Sequence, residues 1–140
     1  MKWKYQEGVI SSDTPPMDIF GFIYEIHYTN NTKYIGKRQI WSVTKKHFGK
    51  KKLALITDKR LKTYEIITKE SKWREYEGSS KLTKGLEIKS KTILEFCKDS
   101  KNLTYCEIKH LIRRDVLVDD TYLNDCISGH YYTGQIDKGI

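Results

Sequence analysis

Two short segments rich in aromatic and β-branched residues, separated by a polar turn, constrain the fold of this 140-residue chain more than any other feature. Residues 20–28 read FGFIYEIHY and residues 33–40 read KYIGKRQI, which are compositions typical of β-strands. The four residues TNNT between them are turn formers. The sequence therefore predicts a β-hairpin with Tyr24 on its first strand and Tyr34 on its second.

The register of this hairpin decides whether the two tyrosines share a face of the sheet, because successive side chains on a strand alternate between faces. A two-residue loop at 30–31 would place the tyrosines on opposite faces. A longer loop that pairs Tyr28 with Tyr34, and Tyr24 with Arg38, would place both on one face. We expect this second register, or a bulge that gives the same parity.

A helix is predicted over residues 101–114, after a third strand at 92–97 and a turn in which Ser100 is a plausible N-cap. On a helical wheel its apolar residues form one arc. They are Leu103, Ile108, Leu111 and Ile112. Glu107 falls inside this arc, between Leu103 and Leu111. Since an ionised carboxylate is costly to bury unless a cation or hydrogen bonds receive it, Glu107 is a candidate metal ligand.

These elements predict an α+β fold, with a small central antiparallel sheet of three strands flanked by helices. Residues 1–18 are expected to form an irregular N-terminal arm, and residues 19–140 a single domain with a basic insertion at about 42–60. Short helical stretches are expected within residues 53–70, 71–81 and 80–90.

The charge balance points to a polyanionic partner. Lys and Arg number 26 against 18 acidic residues, which gives a net charge of +8. Much of the excess is clustered, at Lys45, Lys46, Lys50, Lys51, Lys52, Lys59 and Arg60. Basic side chains supply sequence-independent affinity for nucleic-acid phosphates. The alternative interpretation of this cluster is a solvated loop that only keeps the protein soluble.

Composition also excludes several classes of protein. The mean hydropathy is −0.66, and no apolar run approaches the roughly 18 residues that span a bilayer. We expect no signal peptide and no membrane association. Three cysteines (Cys97, Cys106 and Cys126) without CxxC spacing favour neither a disulfide framework nor a structural zinc site, so a reducing cytoplasm is expected.

The hairpin, with Gly21-Phe22-Ile23-Tyr24 followed by Tyr34-Ile35-Gly36-Lys37, resembles the signature of the GIY-YIG nuclease family. The resemblance covers roughly residues 20–126 and is nearest to stand-alone phage-type homing members. It implies that Glu107 is the metal-binding carboxylate and that Asn124 occupies the place of a family asparagine. Lys37 follows the second glycine, as in excision-repair members. The expected location is then the cytoplasm of a phage-infected bacterial host.

Two departures from the family pattern concern a glycine and an arginine. The first motif reads FIY, with Gly21 one place earlier than the family's usual glycine. The family also carries an arginine on the helix after the hairpin, which the basic insertion here obscures. Arg60 and Arg74 are candidates for it, and Arg38 on the strand is a third.

The resemblance implies hydrolysis of DNA phosphodiester bonds with one Mg²⁺ or Mn²⁺ ion and a tyrosine as general base. Restriction-type members suggest Tyr24 as the base and repair-type members suggest Tyr34; we favour Tyr24. The expected catalytic set is Tyr24, Tyr34, Lys37, Arg38, Glu107 and Asn124. A monomer that acts on DNA is expected.

Other interpretations of the same residues stay open. Each tyrosine could be a half-buried core residue, Glu107 could pair with Arg113 or Arg114, and Asn124 could be a turn residue. The chain could then be a basic nucleic-acid-binding module without catalysis, or an unrelated RNA-binding domain.

Overall fold

The computed structural model describes residues 2–5, 8–9, 18–58 and 60–136. The strands are β1 (Trp3–Tyr5), β2 (Gly8–Val9), β3 (Gly21–Tyr28), β4 (Lys33–Gln39), β5 (Trp41–His47), β6 (Tyr64–Glu70), β7 (Ile88–Cys97), β8 (Cys126–Ile127) and β9 (Tyr131–Tyr132). The helices are α1 (Lys50–Leu55) and α2 (Ser100–Arg113), with a 3₁₀ turn at Lys81–Thr83. The fold is α+β, as predicted.

The main sheet has five strands in the order β2-β1-β7-β3-β4. Its centre is the predicted antiparallel set of β7, β3 and β4. The expectation of only three strands is wrong because β1 adds to β7 in parallel, which makes the sheet mixed. Residues 3–5 are therefore not an irregular arm, and Trp3 is only 2% exposed within the core. The SSDTPP stretch lies outside the described residues.

The hairpin of β3 and β4 has the predicted parity in a different register. Tyr24 pairs with Gly36, and Ile26 pairs with Tyr34. The predicted pairing of Tyr28 with Tyr34 is therefore wrong, because the register is shifted by two residues. The loop is tighter than expected because Tyr28 N–H donates to Thr32 O at 2.9 Å and Asn31 adopts a left-handed conformation with φ of 67°. Asparagine tolerates this conformation well, and such a three-residue loop keeps both tyrosines on one face.

The helix α2 confirms the predicted helix to within one residue at each end. Its N-cap is Asp99, whose carboxylate accepts from Asn102 N–H, and not Ser100. The buried positions are Leu103, Cys106, His110 and Leu111. Ile112 lies outside the buried arc and is exposed, because the arc is centred nearer Cys106 than the wheel predicted.

The sheet separates two hydrophobic clusters. On one face, α2 packs through Leu103 and Leu111 against Ile23 and Ile35. On the other face, an aromatic cluster contains Trp3, Phe22, Tyr24, Tyr28 and Trp73. Because β4 is the last strand of the sheet, side chains from the two faces can meet around its edge.

The basic insertion is a β-ribbon, not a helix. β5 and β6 pair antiparallel from Trp41 with Glu70 to His47 with Tyr64. Of the helix predicted within residues 53–70, only the end of α1 is present, since α1 stops at Leu55 and 64–70 is a strand. The ribbon escaped prediction because both its faces are exposed, so its sequence lacks the apolar alternation that marks a half-buried strand.

The segment from Ser71 to Gly85 runs over the aromatic face as turns. The short helix predicted at 71–81 is absent, and the one predicted at 80–90 is reduced to the 3₁₀ turn. Lys91 on β7 holds this segment, because its buried ammonium donates to Tyr76 O at 2.6 Å.

No helix among the described residues is long and apolar enough to cross a membrane.

Candidate active site

The hairpin brings the two predicted tyrosines together. Tyr34 lies diagonally across from Tyr24 on the same face, because Tyr24 faces Gly36 and Tyr34 faces Ile26. The two phenols are close enough for the charge of one to influence the pKa of the other. Arg38, paired with Phe22, lies on this face as well.

Tyr24 lies inside the aromatic cluster. Its side chain is 2% exposed, and its ring packs tilted against Trp3 at 5.4 Å and edge-on against Tyr76 at 5.8 Å between ring centroids. Burial strongly raises the pKa of its phenol, and the neighbouring Tyr76 raises it further. In this environment the phenol stays protonated, so Tyr24 is suited to donating a hydrogen bond at a fixed position.

Gly36 is the residue that makes room for the Tyr24 phenol. A Cβ at position 36 would lie 2.6 Å from Tyr24 Cζ, and closer still to its hydroxyl oxygen. Ordinary carbon contacts need about 3.5–4.0 Å. The glycine of the second motif is therefore required sterically by the tyrosine of the first.

Tyr34 is only half-buried, at the rim of the aromatic cluster. Burial raises the pKa of its phenol, a hydrogen bond with Ser80 lowers it, and the Glu107 carboxylate raises it. Tyr34 is thus the tyrosine, of the two, whose pKa is affected by the charge of Glu107 on α2. A cation placed on that acid would act on the Tyr34 phenol in the opposite direction.

Lys37 on β4 reaches α2 close to Glu107. Lys37 Nζ donates to Thr104 Oγ1 at 3.0 Å, and Thr104 lies one turn before Glu107 on the same helix face. Burial raises the pKa of the Glu107 carboxyl, while the Lys37 ammonium opposes that effect. Glu107 is half-buried, as its place within the apolar arc predicted.

The structure separates the three arginine candidates. The Arg38 guanidinium carbon lies 4.2 Å above the Tyr76 ring, and its buried Nε has no hydrogen-bond partner among the described residues. Arg74 forms an ion pair with Glu70. Arg60 is at the far end of the ribbon, with 91% of its side chain exposed and paired with Asp58. Of the three, Arg38 is the one carried by β4, the strand that bears Tyr34, and its side chain lies on the face of the tyrosines.

Asn124 is buried and joins the site through the backbone of β4. Its Nδ2 donates to Ile35 O at 2.8 Å, and its Oδ1 accepts from Ile35 N–H at 3.0 Å. The neighbouring Leu123 N–H donates to Lys33 O at 2.8 Å, so residues 123 and 124 together pair with the backbone of β4. Asn124 holds the strand that carries Tyr34 and Lys37, so its geometry is that of a positioning residue.

Sequence analysis missed two contributors from the 71–85 segment, Tyr76 and Ser80. Tyr76 contacts both Tyr24 and Arg38, and Ser80 hydrogen-bonds Tyr34. The GSS tripeptide at 78–80 was the available signal, since Gly78 has a φ of +94° that a glycine adopts easily. Nothing in that pattern indicated that the segment folds over the tyrosines.

The displaced glycine of the first motif also has a structural reason. A Cβ on Gly21 would lie 2.6 Å from the carbonyl oxygen of Arg38 and 2.9 Å from Leu103 Cδ2. Gly21 thus allows α2 to approach the sheet closely. Two places before Tyr24, where the usual glycine would lie, the chain has Phe22, which is fully buried in the aromatic cluster.

The Glu107 carboxylate is a ligand of the kind that Mg²⁺ takes, since this ion keeps several water ligands and uses one or two carboxylates plus substrate phosphates. Among the described residues no group of three or more His, Cys, Asp or Glu side chains could hold a metal ion. The half-buried Glu107, whose ionised form is disfavoured by burial, would gain most from a nearby cation.

A separate apolar groove of about 190 Å³ lies at the C-terminal end of α2, lined by residues that include Leu111, Val116 and Ile127. It contains none of the predicted site residues. The predicted site residues lie instead on β3, β4 and α2, with Asn124 paired to the backbone of β4.

Comparison with known families agrees with this geometry. Residues 3–136 match the family described as "Putative endonuclease segE, GIY-YIG domain". No curated protein and no solved structure gave a significant match. Because the family match spans nearly the whole chain and includes both tyrosine motifs, this chain belongs to the SegE-type GIY-YIG endonuclease domain family.

Proposed function

We propose that the chain is a DNA endonuclease that hydrolyses phosphodiester bonds with one divalent metal ion bound through Glu107. The observation that carries this proposal is that β4, which bears Tyr34 and Lys37, is tied to α2 beside Glu107, because Lys37 Nζ donates to Thr104 Oγ1 at 3.0 Å one turn before Glu107. The Glu107 carboxylate raises the pKa of Tyr34, and the Lys37 ammonium lowers that of Glu107. An acid, a cation and a phenol are the groups that this reaction needs.

Glu107 is the residue that would hold Mg²⁺ or Mn²⁺. Bound there, the ion supplies Lewis-acid stabilisation of the phosphate and makes the charge near Tyr34 positive instead of negative. Mg²⁺ at such a carboxylate would complete its coordination with water and substrate oxygens, as it does at other sites with one or two carboxylates.

Tyr34 is the better candidate for the general base. It is less buried than Tyr24. Burial and the Glu107 carboxylate raise the pKa of its phenol, whereas the Ser80 hydroxyl lowers it, and a cation held by Glu107 would lower it as well. The phenolate takes a proton from the attacking water as the water oxygen bonds to phosphorus and the bond to the leaving oxygen breaks. Tyr24, which sequence resemblance favoured, is buried away from Glu107 among aromatic rings, and we assign it the role of positioning by hydrogen bond.

Lys37 and Arg38 supply positive charge for the transition state. They are adjacent in sequence but point to opposite faces of the edge strand, Lys37 toward α2 and Arg38 toward Tyr76. A phosphate at this edge can therefore be approached by a cation from each side. Preorganised charges of this kind stabilise the negative charge that develops on phosphorus.

The test is nicking of supercoiled plasmid in Mg²⁺ by the parent protein and by matched pairs of variants. Tyr34→Phe is expected to lower the rate by at least about 100-fold, an effect typical of losing a catalytic base. Glu107→Gln is expected to lower it at least as much, because it removes the charged ligand of the metal ion. Glu87→Gln and Tyr105→Phe, which change exposed residues of the same types, are expected to cleave like the parent.

Three outcomes contradict the proposal in different ways. If the parent binds plasmid but never nicks it, the chain is a binding module without catalysis. If it prefers RNA to DNA at the same salt concentration, the substrate is wrong. If Tyr24→Phe abolishes cleavage while Tyr34→Phe retains it, the assignment of the two tyrosines is reversed.

A further inference from the structure

The ribbon formed by residues 41–70, here called the basic ribbon, projects from the body of the protein. Apart from Trp41, Tyr64 and Glu70, every residue of β5 and β6 is exposed, and α1 contains no buried residue. An isolated two-stranded ribbon is only marginally stable in water. Its exposure on both faces is thus unusual for a purely structural element.

The base of the basic ribbon is fixed to the candidate active site. Ser71 N–H donates to Ile40 O at 2.7 Å, and Ser71 Oγ donates to Gln39 O at 2.6 Å. Trp73 Nε1 donates to Glu70 Oε1 at 2.9 Å. The basic ribbon therefore begins directly after Arg38 on β4, so a molecule that binds along it is led to the reacting groups.

The charge of the chain is concentrated in this element. Residues 41–70 contain nine Lys and Arg residues against three acidic residues, a net charge of +6 within a total of +8. Within the described part of the ribbon, Arg60 and Asp58 form the only ion pair between two ribbon residues. Unpaired lysines on an exposed ribbon are available for phosphate groups.

A second copy of the chain and a nucleic acid are the two occupants that such a ribbon could take. Two open strand edges can pair with another copy, but lysines on an edge discourage this pairing and two ribbons of charge +6 repel each other. Duplex DNA complements the charge. Seven residue pairs span roughly 23 Å at about 3.3 Å per residue, and the major groove is wide enough for a two-stranded ribbon.

We propose that the basic ribbon binds the phosphate backbone of duplex DNA beside the scissile bond and is the main source of affinity for the substrate. This proposal rests on the proposed function for the identity of the substrate. It predicts that removing charge from the ribbon weakens DNA binding, whereas removing the same charge elsewhere does not.

The experiment measures the affinity for a fluorescent 30-base-pair duplex by anisotropy at several salt concentrations, on the Glu107→Gln background so that no cleavage occurs. The ribbon variant is Lys46→Ala, Lys50→Ala and Lys51→Ala combined, because these lysines are exposed and form no ion pair or ring contact with the described part of the chain. The matched control combines Lys4→Ala, Lys89→Ala and Lys98→Ala, which are exposed lysines outside the ribbon. A second ribbon variant with the same three lysines changed to Arg retains the charge.

Each phosphate contact contributes about 0.9 to the slope of log K against log salt. The ribbon variant should therefore bind between about eightfold (one contact) and about 500-fold (three contacts) more weakly near 0.1 M salt, with a correspondingly shallower slope. The control and the Arg variant should bind within about threefold of the parent. Circular dichroism checks that all variants are folded.

Equal loss of affinity in the ribbon variant and the control would overturn the proposal, since affinity would then depend on total charge alone. Unchanged affinity in the ribbon variant would overturn it as well, and concentration-dependent dimerisation lost only in that variant would assign the ribbon to a second copy. Plasmid nicking by the protein with Glu107 intact is measured in parallel. Its failure contradicts the proposed function, whereas failure of the ribbon proposal leaves nicking unaffected.

Discussion

Replacing Gly36 by alanine tests the steric relation between the two tyrosine motifs. The added Cβ would lie 2.6 Å from Tyr24 Cζ, about 1 Å inside an ordinary carbon contact. The phenol cannot retreat easily, because Trp3 and Tyr76 pack on it at centroid distances of 5.4 and 5.8 Å. Either the ring or the β4 backbone must therefore move by about 1 Å.

The size of the effect follows from this displacement. Overpacking of a well-packed core typically costs about 1–3 kcal/mol. At roughly 3 °C per kcal/mol for a domain of this size, the unfolding temperature should fall by about 3–10 °C. A misplacement of about 1 Å near reacting groups can lower the rate by about 100-fold. We therefore expect Gly36→Ala to remain folded and to lose most of its plasmid-nicking activity.

The assays are thermal unfolding followed by circular dichroism and the nicking rate in Mg²⁺ at a temperature where the variant is folded. Gly49→Ala is the matched control, because a Cβ there meets no atom within 4 Å and the residue has an ordinary φ of −69°. It should change stability by less than about 0.5 kcal/mol. A Gly36→Ala protein with parental stability and parental activity would refute the reasoning.

Three further predictions concern Glu107, Asn124 and Gly21. Burial raises the pKa of Glu107 above its unfolded value, so its ionisation disfavours the folded state. Metal-free protein therefore loses stability as the pH rises from the unfolded pKa of this carboxyl through its folded pKa. Glu107→Gln should therefore lose cleavage and unfold at an equal or higher temperature than the metal-free parent at neutral pH, and a clear loss of stability in Glu107→Gln would contradict this reasoning. The cleavage rate of the parent should fall at acidic pH, because the Glu107 carboxyl is then protonated. Asn124→Ala leaves Ile35 N–H and C=O unpaired, at about 1–3 kcal/mol for each, so chemical unfolding should show a loss of roughly 2–5 kcal/mol, and an unchanged denaturation midpoint would rule out the positioning role. Gly21→Ala should destabilise at least as much as Gly36→Ala, because its Cβ meets a backbone carbonyl at 2.6 Å, and calorimetry that finds it more stable than Gly36→Ala would disprove the close-packing argument.

The sequence predicted the elements whose patterns are local. The two tyrosine strands carry a β-rich composition, and α2 has an apolar arc with an acid inside it, so the shared face of Tyr24 and Tyr34 and the half-burial of Glu107 could be predicted. The family match then confirmed the resemblance. These features depend on contacts within a hairpin or a helix.

What the sequence left open depends on contacts between distant segments. Trp3 joins the core only because β1 pairs with β7, about 90 residues later in the chain. Arg38 could be preferred to Arg60 and Arg74 as the family arginine only once the position of Tyr76 was known, because the Arg38 guanidinium packs on the Tyr76 ring. Tyr76 lies on a segment of irregular backbone that crosses the sheet, and no sequence pattern predicts its position. The basic ribbon has no buried face, so hydrophobic periodicity could not reveal it.

The central claim is that a divalent ion bound by Glu107 faces Tyr34 at the edge of β4. The most direct measurement is anomalous diffraction from crystals of the protein grown with Mn²⁺ and an uncleaved DNA duplex. The account predicts a manganese peak about 2.0–2.2 Å from a Glu107 carboxylate oxygen, with a DNA phosphate and the Tyr34 hydroxyl on the same side of the ion. A manganese ion bound elsewhere, with Glu107 remote from the phosphate, would contradict it.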